Sequence, residues 1–95
     1  MKVDIVELRR AASRLFDHIE EAGIHSFDLE HDHYWVVPRE SRYNVYEQPK
    51  QLEVGQLTED LESLRSLNDP AEPLVAYAMV WLAAILREIG EREIG

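Results

Sequence analysis

Residues Leu74–Leu86 read LVAYAMVWLAAIL, an uncharged apolar run in an otherwise acidic chain of 95 residues. As a helix at about 1.5 Å per residue the run spans roughly 20 Å, too short for a bilayer core of about 30 Å. A helix that is apolar all round has to be enclosed on most faces, by the rest of its own chain or by a partner subunit. It presents Tyr77, Val80, Trp81 and Ala84 on one side and Val75, Met79, Leu82 and Leu86 on another. The run therefore predicts a buried central helix and, if a side stays open, a homodimer through it.

The remaining segments must supply the cover. Ile5, Leu8, Ala12, Leu15, Ile19 and Ala22 alternate steps of three and four, with Phe16 widening the stripe, which predicts one amphipathic helix over Val3–Ala22. Gly23 suits the left-handed position past a helix, and Ile24 can fold back on Ile19 in a Schellman ending. From Ile24 to Pro38 the pattern predicts a hairpin, with strands near Phe27–Glu30 and Tyr34–Val37 turning at His31 and Asp32. Arg39–Pro49 reads as a short helical turn carrying Tyr43 and Tyr46, and Gln51–Val54 as a brief extended segment.

A helix with Thr58 as N-cap follows, its buried side lined by Leu61, Leu64 and Leu67. Asn68 and Asp69-Pro70 end it, and the apolar helix starts near Pro73 and stops at Gly90. The expected fold is a single α+β domain over 1–90, mostly helical, with three principal helices and a short antiparallel β-hairpin. Residues 91–95 are expected to form a mobile tail. The first helix, the Thr58 helix and the hairpin's Trp35 and Val37 are expected to pack around the apolar helix, and both tryptophans to lie in the core.

Composition narrows the function classes. Acids outnumber Lys and Arg by 19 to 10, for a net charge of -9. That balance opposes nucleic acid and anionic membrane surfaces and favours a basic protein. Without cysteine there is no disulfide framework or thiolate nucleophile, which fits the cytoplasm, and the charged start MKVDIVELRR predicts no standard signal peptide. The serines lack a strand-turn-helix glycine context and the glycines are scattered singly, so neither an activated nucleophile nor a phosphate-cradling loop is expected. No enzyme activity and no cofactor are predicted.

Two clusters remain. Asp17, Glu20, Glu21, Asp28, Glu30 and Asp32 form a run without Lys or Arg, close to Tyr34, Tyr43 and Tyr46. Together they describe a surface on which carboxylates steer a basic partner and tyrosines anchor it, as in small acidic immunity proteins and inhibitors. An ordinary solvated face is the alternative. His25, His31 and His33 are candidate metal ligands, since residues two apart on a strand share a face and a carboxylate could complete a Zn²⁺ or Ni²⁺ set. A polar turn accounts for the same residues.

The order acid-x-acid-x-Tyr-Trp at Glu30–Trp35, then Pro38, Tyr46, Pro49, Gly55-Gln56-Leu57 and Trp81-Leu82-Ala83, resembles a group of small uncharacterised bacterial proteins. The likeness covers most of the chain after Asp28. It implies a small bacterial cytoplasmic protein and no site residues, and His31 and His33 are not part of the pattern.

Overall fold

A computed structural model describes residues 1–67 and 75–94, the side chains of 93 and 94 excepted. Its elements run α1 (Ile5–Glu21), β1 (His33–Val36), α2 (Arg39–Arg42), β2 (Glu53–Gln56), α3 (Leu57–Ser66) and α4 (Val75–Ile94). The architecture is α+β and mainly helical, with three principal helices and one short antiparallel strand pair.

Helix α1 begins at Asp4, whose carboxylate accepts hydrogen bonds from the amides of Val6 at 2.8 Å and Glu7 at 3.4 Å. These are two of the donors that a helix start leaves without an internal partner. It ends as the Gly23-Ile24 pair predicts. Gly23 has φ 85° and donates to the Glu20 carbonyl, and Ile24 donates to that of Ile19.

The strand pair is not the expected one. Phe27–Glu30 forms no strand; β1 pairs instead with β2, in the register His33 with Gln56, Tyr34 with Gly55, Trp35 with Val54 and Val36 with Glu53. The physical reason is the cross-strand fit of Tyr34 and Gly55. A Cβ at position 55 would stand 2.6 Å from Cε2 of Tyr34 and 2.7 Å from its hydroxyl, so the ring lies across β2 only because that residue is glycine.

Helix α3 starts directly after β2 with Gln56 at its N-cap, so Thr58 is not the cap but lies in the first turn. Leu57 and Asp60 are buried, Leu64 and Leu67 are half-buried, and Leu61 is exposed. The expected stop at Asn68 and Asp69-Pro70 and the start near Pro73 lie outside the described residues. Helix α4 runs through Gly90 to Ile94, so Gly90 does not end it and 91–94 continue the helix.

Packing departs furthest from expectation. Extensive contacts join α3 to α4 and β1 to β2, and among the described residues α1 packs extensively on no other element. Leu57, 6% exposed, is the single buried apolar side chain among the described residues. Trp35 is 69% exposed and belongs to no core, whereas Trp81 is half-buried and stacks on Tyr77 with ring centroids 6.2 Å apart. On α4, Ala78, Trp81 and Ile85 are half-buried, while Val75, Met79, Leu82 and Leu86 face solvent. The accessible surface is 8743 Å² for a chain of 11.1 kDa. A compact monomer of that mass exposes about 5,700 Å². The radius of gyration, 15.4 Å, likewise exceeds the roughly 12 Å of a compact chain of this length.

Candidate functional site

Among the described residues, side-chain hydrogen bonds concentrate at the joint between β1 and α3. Asp32, just ahead of β1, caps α3 from across the sheet. Its carbonyl accepts from the Leu57 amide at 2.7 Å, and its Oδ1 accepts from the Thr58 amide at 2.8 Å and the Thr58 hydroxyl at 2.7 Å. Its Oδ2 accepts from Nε2 of Gln56 at 2.7 Å. These donors, the Thr58 hydroxyl and then Gln56 foremost, hold the Asp32 carboxyl below the usual carboxylate range. Two residues on, the Tyr34 hydroxyl donates to Oδ2 of buried Asp60 at 2.5 Å. Burial, then the bond to Asp60 and its charge, push the Tyr34 phenol up to about 12.

These bonds tie the start of β1 to the start of α3. The lowered carboxyl and the raised phenol favour the ionised Asp32 and the neutral Tyr34 that these bonds use. Of the predicted interaction residues, Asp32 and Tyr34 are thus engaged within the molecule, through donors and an acceptor more than twenty residues away in sequence. Gln56, Thr58 and Asp60 complete that network without any periodic signal to announce them. The Gly55-Gln56-Leu57 run marks the segment but not its partner.

The other predicted residues remain on the surface. Asp17, Glu20 and Glu21 are exposed on the last turns of α1, and Asp28 and Glu30 are exposed in the irregular segment that follows. Tyr43 closes the one-turn helix α2, whose Arg42 donates to the Val37 carbonyl at 2.8 Å, and Tyr46 is 93% exposed in the loop beyond it.

Beside these tyrosines an open groove of about 800 Å³ runs between β1, the loop after α2, and α4. Trp35, Val37, Tyr43, Val45, Val80 and Ala84 line it together with Arg87 and Glu88. Its lining mixes these apolar side chains with the polar His33, Arg42, Glu47 and Glu91.

The histidines do not converge. His25 and His31 precede the strand and only His33 lies on β1, so His31 and His33 do not share a strand face. Among the described residues no three His, Asp or Glu side chains gather as metal donors. No described helix is long and apolar enough to cross a membrane. No family model, curated protein or solved structure matches the chain.

Proposed function

We propose that the chain is a non-catalytic protein-interaction domain of the cytoplasm that completes its hydrophobic core against a basic protein, in the manner of an immunity or inhibitor protein. The observation that carries this reading is the surface, about half as large again as a compact chain of this mass presents. The excess is of the order buried in a large, permanent interface. Part of its apolar component lies on α4, through Val75, Met79, Leu82 and Leu86, and part in the groove beside Trp35 and Tyr43.

Charge supplies the partner's chemistry. Asp17, Glu20, Glu21, Asp28 and Glu30 are exposed, and the whole chain carries -9. Such a field speeds the encounter with a basic surface and repels an acidic one. Tyr43 and Tyr46, projecting beside the groove, supply anchors with a large contact area and few rotatable bonds.

The test is affinity capture from the lysate of the source organism with the wild-type chain and with a Glu21→Gln, Asp28→Asn, Glu30→Gln variant. The reading predicts a basic protein held by the wild type, released by salt and retained less by the variant. Equal retention by both baits, or an acidic protein resistant to salt, contradicts it.

A further inference from the structure

Helix α1 is a well-capped helix with an uncovered apolar seam, and its charges are ordered along its axis. Ile5, Leu8, Ala12, Leu15, Ile19 and Ala22 repeat with a mean step of about 3.5, the period of a coiled-coil seam, and Phe16 widens it on one flank. Except for Ile19, which is half-buried, every residue of α1 is exposed, Leu15 to 66%.

The charges follow a different rule. Arg9, Arg10 and Arg14 make the first part of the helix basic, and Asp17, Glu20 and Glu21 make its end acidic. Glu7 has a local reason, since it sits in the first turn beside the positive end of the helix dipole. Glu20 and Glu21 have the opposite relation to that dipole, so their placement does not serve the isolated helix. A neighbouring helix that runs the other way reverses the balance, because it lays its basic part along this acidic end.

We propose that α1 is a dimerisation helix, pairing antiparallel with α1 of a second copy of this chain about a two-fold axis near Ser13 and Arg14. In that register Ile5 meets the partner's Ala22, Leu8 the partner's Ile19 and Ala12 the partner's Leu15. The Ile5–Ala22 and Ala12–Leu15 layers pair large with small, which lets the helices approach closely there, and the Leu8–Ile19 layer packs two large side chains. Arg9, on the flank of the seam, falls beside the partner's Phe16 and the partner's Glu20, giving a cation–π contact and an ion pair that the two-fold axis repeats. A parallel pair would set arginines against arginines and acids against acids. The open stripe of α4 carries no comparable charge order, so the choice of a second copy rests on α1 alone. It does not require the basic partner proposed above, although Asp17, Glu20 and Glu21 enter both readings.

Sedimentation equilibrium of the full chain over a dilution series tests the pairing. A reversible dimer is expected, and Arg9→Glu or Glu20→Arg alone should raise its dissociation constant about tenfold. The double variant, which keeps the net charge, should return to within about threefold of the wild type. Because the chain has no cysteine, orientation can be read by disulfide trapping. Ile5→Cys mixed with Ala22→Cys should cross-link, and Ile5→Cys alone should not. All these side chains are exposed, and circular dichroism verifies that each variant keeps its helices. A monomer throughout, single swaps without effect, a double variant as weak as the singles, or cross-linking of Ile5→Cys to itself would overturn the pairing.

Discussion

Tyr34 lies across β2 only because position 55 carries no Cβ, and the two residues are directly opposite in the sheet register. Gly55→Ala must displace the ring and break its bond to Asp60; we expect a loss of about 1–3 kcal/mol, measurable by urea unfolding. The same ring gives an alkaline signature. Its folded pKa of about 12 exceeds the unfolded value near 10.0, so the stabilisation is complete below pH 10 and is lost as pH rises toward 12. Ultraviolet titration should show one late phenol, absent from Tyr34→Phe. Asp32 behaves in the opposite sense, because its folded pKa lies below the unfolded 3.8. Its contribution is present above that pH and disappears as pH falls through the lowered value. Asp32→Ala should therefore lower the melting temperature at neutral pH, and the gap to the wild type should narrow in acid, as followed by thermal scans across pH.

Elements were legible where their signals are local. The alternating seam and the Gly23-Ile24 ending define α1 within two residues at its start and one at its end, since cap and period act within a turn or two. The strand partner was not legible. β-branched and aromatic residues around Phe27 suggested a nearby strand, yet β1 pairs with a segment whose decisive residue is a glycine, poor in strand propensity and informative only once Tyr34 is opposite. The capping of α3 by Asp32 was hidden for the same reason, as it joins residues distant in sequence. Gly90 misled in the other direction. Arg and Glu, good helix formers, flank it and carry the helix past it, and a Cβ there would meet nothing within 4 Å. Gly90→Ala should stabilise the protein by roughly 0.5–1 kcal/mol, raising the melting temperature by a few degrees.

At the scale of the molecule, the apolar content that promised a self-sufficient core is spent on surfaces. Period and composition show that a helix has an apolar side, but they do not say what covers it. The seams of α1 and α4 read alike in sequence as core-facing, and both are largely open in the structure. The acidic run and the tyrosines were visible as candidates. The structure separates Asp32 and Tyr34, engaged in the β1–α3 joint, from Asp17, Glu20, Glu21, Asp28, Glu30, Tyr43 and Tyr46 on the surface. Among the described residues a lone chain leaves α1 without cover, and amide hydrogen exchange resolved along the chain at low and high protein concentration probes that exposure. Fast exchange over Ile5–Glu21 is expected in dilute solution and slower exchange as concentration rises, with α3 less affected. Protection of α1 equal to that of α3 at every concentration would contradict it.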